Sequence, residues 1–393
     1  MNSPATSTRD KGHYTRLLVS ALVVALIGNS TLIGQQNPAT SRSQAMTLEQ
    51  QGQNEEAENI WSDIVKADPS NAEALAHLGL LAARLKHYDA AIDFYHRALA
   101  IDPDLPGLQM NLGLASFKAA QFPDAIKSFA SEIRKHPGDP RLTTLLGMAH
   151  YGMKDYLVAI PYLQRAAERD PQNVTLRVTL ARSCLQSRQF QCVLDTHKEI
   201  KELNADSAEA DMLAGEALAE MDDRAAAENE FREAILKDQR MSQLHFGLGY
   251  LLWSESKWSE SAAQFESELQ INPKSINAQI YLADSCIRQN EFAKALAVLS
   301  ALIPNEPSEA LFHRDLGIIF ANDGRAADAI RELTAAIEAD PEDPQPHAQL
   351  AKLYQATNQR SEAEGELQKA KALPSRSKPS LEEALDSAET PAP

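Results

Sequence analysis

Apolar and small residues recur along this chain at a fixed interval of 34. Leu78-Gly79, Leu112-Gly113, Leu146-Gly147, Leu248-Gly249 and Leu316-Gly317 share one phase, with Leu180-Ala181, Leu282-Ala283 and Leu350-Ala351 as variants. Twelve residues after most Gly or Ala points of this phase stands a small residue, as at Ala57, Ala91, Ala125, Ala159, Ala227, Ala295, Ala329 and Ala363. A large apolar side chain commonly follows four later: Trp61, Tyr95, Phe129, Phe231 and Phe265. Each period therefore predicts two helices. Runs of Val, Ile and Thr at period two are scarce, so no strand is predicted. Pro69, Pro103, Pro137, Pro171, Pro273, Pro307 and Pro341 lie on the same lattice, with Ala205 and Gln239 at its two vacant points. Proline lacks an N–H and forces the preceding residue out of the α region, so it is expected to end the second helix of each pair.

This pattern resembles the tetratricopeptide repeat, over residues 38 to about 373. The resemblance implies an all-α fold, a right-handed superhelical solenoid of antiparallel helix pairs. One pair cannot bury its apolar face alone, so each depends on its neighbours. The glycine or alanine of the first helix is expected to admit the second helix closely at its own alanine. Nine full repeats are expected over 72–373, preceded by a degenerate capping repeat at 35–71 in which Ser41, Gln44 and Ala45 replace the bulky and Gly positions. The fourth and fifth repeats depart most, with His197 in place of the aromatic and Val193 in place of the alanine, and a hinge is expected there.

The ends read differently. Residues 17–27 are almost wholly apolar and follow Arg9, Lys11 and Arg16, the layout of a secretory signal. Residues 1–34 are expected to act as a signal peptide or, if kept, as an N-terminal membrane anchor through 17–34. Either outcome places the repeats outside the cytoplasm, in the periplasm or its equivalent. Residues 374–393, rich in Pro, Ser, Lys, Glu and Ala, are expected to form a disordered tail.

Charge narrows the partners. The net charge is −17, which repels nucleic acid and anionic membrane surfaces at long range. Contact with a membrane is expected only through the N-terminal segment. The chemistry of an enzyme is not visible: the ten histidines include no pair at i,i+4, and no Gly-x-Ser-x-Gly elbow or phosphate-binding loop occurs. Gly247 and Gly249 open like a dinucleotide loop, but Leu252 breaks the pattern. No catalytic residue, metal site or cofactor is therefore expected. Cys184 and Cys192 flank the turn within one helix pair, so export would allow a disulfide between them, while buried free thiols are the other reading. Cys286 shares the repeat position of Cys184 and is read as a packing residue.

The resemblance also implies that the second, fifth, ninth, twelfth and thirteenth positions of each repeat face a concave groove. Met110, Leu114, Phe117, Met148 and Tyr151 would then form an apolar patch, and Phe246, Tyr250 and Trp253 an aromatic one. Arg182 and Glu216 lie between them, and Arg288 and Arg314 follow. Large apolar side chains in a groove suggest anchors for a peptide, whereas the alternative is packing between adjacent first helices. The family's two-carboxylate clamp is not expected, because Ala76 and Leu80 stand at its first points and only Asn111 and Arg141 match. The expected function is a non-enzymatic scaffold that binds a protein or peptide in this groove. The alternative is a regulatory or substrate-recruiting subunit of an envelope enzyme, secretion or cytochrome-assembly complex.

Overall fold

A computed structural model describes residues 38–303, 309–374, 380, 381 and 384. The apolar N-terminal segment and Pro307 lie outside these residues. Twenty α-helices and no strand occur among them, first and second helices alternating as the 34-residue period requires. The first period holds α1 (Pro38–Gln50) and α2 (Asn54–Ala67). Next come α3 (Ala72–Arg84), α4 (Tyr88–Ile101), α5 (Leu108–Lys118), α6 (Phe122–Lys135), α7 (Pro140–Gly152) and α8 (Tyr156–Arg169). They are followed by α9 (Val174–Gln186), α10 (Phe190–Leu203), α11 (Ala208–Glu220), α12 (Arg224–Lys237), α13 (Leu244–Ser254) and α14 (Trp258–Ile271). The last are α15 (Ile276–Arg288), α16 (Phe292–Ser300), α17 (Ala310–Asn322), α18 (Ala326–Ala339), α19 (Pro344–Ala356) and α20 (Arg360–Ala372). The fold is an all-α repeat solenoid. By compactness the chain divides into two units, Met1–Ala115 and Ser116–Pro393.

Short-range chemistry punctuates each period. Asn71, Asp139, Asn173, Ser207, Ser275 and Asp343 cap the first helices, their side-chain oxygens accepting from an N–H of the first turn. Between the two helices of a pair one residue takes the left-handed conformation, including Lys86, Ala120, Lys154, Arg188, Asp222, Ser256, Asn290 and Asn358. Glycine fills this point only at Gly52 and Gly324. Five second helices end at an Asx turn: the side chains of Asp68, Asp102, Asn204, Asp238 and Asp340 each accept from the N–H two residues on. α10 and α12 stop at the same point of the repeat as α4 and α6 although Asn204 and Asp238 are followed by Ala205 and Gln239 in place of proline. The expectation that proline ends the second helix is thus corrected. In these five helices an Asx residue supplies the turn with or without proline, whereas α6 ends at His136 ahead of Pro137.

Packing within a pair also differs from the sequence reading. A Cβ added at Gly79 would lie 2.5 Å from the Tyr95 ring, and one at Gly317 would lie 2.6 Å from Leu333 Cγ. The glycine makes room for the large side chain of its own pair, rather than for the alanine expected there. Phe231 is clasped twice, by Gly215 within its repeat and by Gly247 of the next. In the first unit the cap closes over Trp61, whose Nε1 donates to Glu49 Oε1 at 2.5 Å while its ring stacks on His77 at 4.3 Å. His77 Nδ1 lies 2.8 Å from the same carboxylate oxygen.

The expected disordered tail is corrected at three residues. Leu381 and Ala384 are buried in the apolar cluster of the second unit, and Ala384 N donates to Ser380 O at 3.1 Å, one helical turn. An apolar pair on one side of a turn, i and i+3, has found a surface that excludes water.

Candidate functional site

The first helices carry every groove residue expected from the sequence, but their surroundings sort those residues into two classes. In repeat six the aromatic patch is not a surface. Phe246, Tyr250 and Trp253 are 3, 4 and 6% exposed. Their rings gather around Tyr281 of α15 at 5.9, 5.2 and 5.0 Å. Arg314 is 5% exposed and equally closed. The expectation of partner-facing anchors is corrected for these four residues, because the adjacent first helix brings Tyr281 and Asp284 against them. The packing alternative describes them.

A buried polar chain runs behind these rings. Trp253 Nε1 donates to Asp284 Oδ2 at 2.7 Å, and Arg314 donates to Asp284 Oδ1 and to Asp315 Oδ1. Arg314 Nη1 reaches Gln345 Oε1 at 3.1 Å. One guanidinium thus serves two carboxylates in a dry site. Burial pushes the Asp315 carboxyl well above the usual carboxylate range, against the opposing pull of Arg314. Its Oδ2 is buried with no hydrogen-bond partner among the described residues. Arg288 lies at the edge of this chain, exposed, with Nε 3.4 Å from Asp284 Oδ1 and its guanidinium 5.6 Å over the Trp258 ring.

The second class stays open to solvent. Leu114 is exposed, and Met110, Phe117, Met148 and Tyr151 are half-buried. Tyr151, Arg182 and Glu216, which come from α7, α9 and α11, line one cavity. Lys154, Tyr156, Gln186 and Gln243 complete its polar wall, with Leu185, Met212 and Leu213 as its apolar floor. Arg182 Nε and Nη2 both donate to Glu209 Oε1, which aims the guanidinium across two repeats. Burial works to lower the Arg182 pKa, but Glu209, Tyr151 and Glu216 hold it up, so the cation is secure. Gln243 enters the rim with φ of 76°, a conformation that a residue with a Cβ adopts at a cost. Its N–H donates to the buried Glu268 carboxylate at 3.2 Å, which holds it there. No periodic signal marked Gln243, since it lies where the regular α13 has not yet begun.

Two further clusters carry chemistry. Cys184 and Cys192 are disulfide-bonded with Cα atoms 5.8 Å apart, tying α9 to α10. His197, Asp211 and Glu230 bring three ligand-type atoms within 4.8 Å of one another. Lys237 Nζ already pairs with Asp211 Oδ2, and Lys201 lies 3.6 Å from Asp211 and 3.8 Å from Glu230. Two ammonium groups balance two carboxylates, and a divalent cation would have to displace them. The cluster is an ion network that joins α10, α11 and α12, with His197 Nε2 at 2.9 Å from Asp211. Burial alone would raise the Asp211 pKa, but hydrogen bonds from His197 and Lys237 outweigh it and hold the carboxyl low. The bridge and this network lie in the two repeats where the sequence suggested a hinge.

Models of one repeat family match most of the chain. One described as tetratricopeptide repeat covers residues 42–106, 110–190, 205–276 and 282–344, and a second of the same description covers 321–373. Similar curated proteins include BBSome complex member BBS4 of Bos taurus, 23% identical over 258 residues, 65% of this chain and 50% of that one. Small glutamine-rich tetratricopeptide repeat-containing protein 2 of Mycosarcoma maydis is 30% identical over 116 residues, 30% of this chain and 33% of that one. This chain spans half or less of the length of these relatives. Among solved structures, a tetratricopeptide repeat protein from Parabacteroides merdae aligns with a TM-score of 0.47 at 15% identity, over 67% of this chain and 97% of that one.

Proposed function

Because this chain belongs to the tetratricopeptide repeat family, we propose that it is a non-enzymatic interaction scaffold that holds a protein or peptide segment against its first helices, outside the cytoplasm. The observation that carries this reading is the cavity where Tyr151, Arg182 and Glu216 converge from three successive repeats. Its wall offers a fixed cation, carboxylate and amide groups and a tyrosine face, over a small apolar floor. Such a surface suits an extended peptide, whose backbone amides and one acidic side chain find partners while a small apolar side chain sits on Leu185 and Met212.

Two features support the extracytoplasmic setting. The Cys184–Cys192 bridge is of a kind that persists in oxidising compartments, and residues 17–34 follow a basic flank as an export signal does. No helix among the described residues is long and apolar enough to cross a membrane.

The test uses peptides selected from a random display library against the purified chain. Tyr151→Ala and Arg182→Glu should each weaken binding of the selected peptides about tenfold or more, with helix content unchanged. Leu157→Ala, an exposed site on α8, should leave it unchanged. Equal affinity for all three variants would remove the cavity from the binding surface.

A further inference from the structure

Asn277 is the second residue of α15, a repeat position that faces the groove in the family pattern, yet it is 3% exposed. Its Nδ2 donates to the backbone carbonyl of Ala384 at 2.6 Å, a contact across 107 residues of chain. Leu381 and Ala384, 4 and 2% exposed, share the apolar cluster that includes Ile280, Tyr281 and Phe312. The last residue of α20 is Ala372, so only a short connection joins the solenoid to this turn.

The local sequence is suited to make the turn. Ser380 and Glu383 stand three apart as in a capping box, after Pro379, and Leu381 and Ala384 fall on one helical side. At the described end of the turn the carbonyl of Ala384 accepts from Asn277 Nδ2.

We infer that the α15 face around Asn277 is a docking site for a short apolar turn, and that the chain's own Ser380, Leu381 and Ala384 occupy it in the free protein. Burial of one leucine and one hydrogen bond is set against the ordering of a turn's backbone, a near balance. The tether decides the outcome, because a short connection holds the turn at a millimolar effective concentration, roughly. This stretch of groove is therefore closed to weak ligands and opened by a segment that competes with Leu381. The inference deepens the groove reading and rests on it, but it does not depend on the Tyr151–Arg182 cavity.

A fluorescein-labelled synthetic peptide spanning residues 376–391 is the probe, titrated against the full chain. Leu381→Asp should release the tethered turn and raise affinity for the probe roughly tenfold over the unaltered chain. Adding Asn277→Leu to Leu381→Asp should return binding to the low level. Equal affinity of the unaltered chain and Leu381→Asp, or full binding by the double variant, would overturn the assignment. Leu381→Ser carries the same expectation and serves if the aspartate variant does not fold. Sedimentation of the unaltered chain should show no dimer that Leu381→Asp abolishes; such a dimer would mean that the turn docks on a second copy and would overturn the intramolecular site. Leu157→Ala, exposed on α8, should leave probe affinity unchanged, and the Leu381 and Asn277 variants leave the Tyr151–Arg182 cavity unaltered, so failure here and failure of the cavity are read separately.

Discussion

Trp253 Nε1 donates to Asp284 Oδ2 at 2.7 Å, so a side chain whose repeat position faces a groove is instead the first link of a buried polar chain. The chain passes through Arg314 to Gln345 and thereby joins α13, α15, α17 and α19. Four consecutive first helices are held in register by hydrogen bonds rather than by apolar contact alone.

Asp284→Ala should be among the most damaging single changes in this region. It leaves buried Arg314 bonded to Gln345 and to a single carboxylate, Asp315, whose own carboxyl is driven toward its neutral form by burial. The expected loss is about 3–5 kcal/mol, the range for breaking a buried pair. Trp253→Phe keeps most of the ring and leaves Asp284 Oδ2 with only the longer bond from Arg288 Nε at 3.5 Å, at a cost of about 1 kcal/mol. Amide exchange of α13, α15 and α17 in the two variants checks the order, and equal protection would show that the chain contributes nothing.

Asp315 predicts an unusual pH dependence. Its folded pKa is raised, so in the range above about pH 4 the native state holds a proton that the unfolded chain has lost. Its contribution to stability is therefore fully present below the unfolded pKa and is lost as pH rises through the folded one. Asp211 runs the other way, its lowered pKa giving stability above about pH 4 that is lost on acidification. Asp315→Asn mimics the neutral acid and should flatten the decline toward high pH. Thermal melts at pH 5 and pH 8 should show Asp315→Asn gaining on the unaltered chain at the higher pH; parallel shifts would argue against a retained proton.

Reduction of the Cys184–Cys192 bridge should loosen α9 and α10 selectively. A loop of this size contributes about 2–3 kcal/mol on the chain-entropy account. Alkylation without reductant should modify neither residue, and exchange in α9 and α10 should rise after reductant is added. Labelling of both thiols in the exported protein would show that the bridge does not form there.

Ala120 takes φ of 58° between α5 and α6, where the cap uses Gly52 and the eighth repeat uses Gly324. Left-handed backbone costs a residue with a Cβ about 1–2 kcal/mol, and glycine loses part of that gain to its greater freedom when unfolded. Ala120→Gly should therefore stabilise the chain by roughly 0.5–1 kcal/mol. A lowered melting temperature would mean that the turn is not strained.

Much of the architecture was legible because it is local. The paired helices, the Gly or Ala point and the small residue twelve later were read from the 34-residue window, while the Asx stop at Asp68, Asp102 and Asn204 was overshadowed by the prolines on the neighbouring lattice point. His197 was visible as an exception to the aromatic row. That it is answered by Asp211, fourteen residues on, and Lys237 became visible only when three helices met.

Periodicity places a residue on a side of its own helix, and for Tyr151, Arg182 and Trp253 that placement came from the repeat pattern alone. Whether the side is wet depends on the next repeats. Trp253 is covered because Tyr281 and Asp284 come from the following first helix, while Arg182 faces Glu209 and a cavity instead. The contact of Asn277 with Ala384 is the extreme case, since no local rule relates residues 107 apart and only the folded path of the chain brings them to 2.6 Å. Helical spacing is a short-range property of the backbone, and burial is a sum over neighbours that sequence distance does not rank.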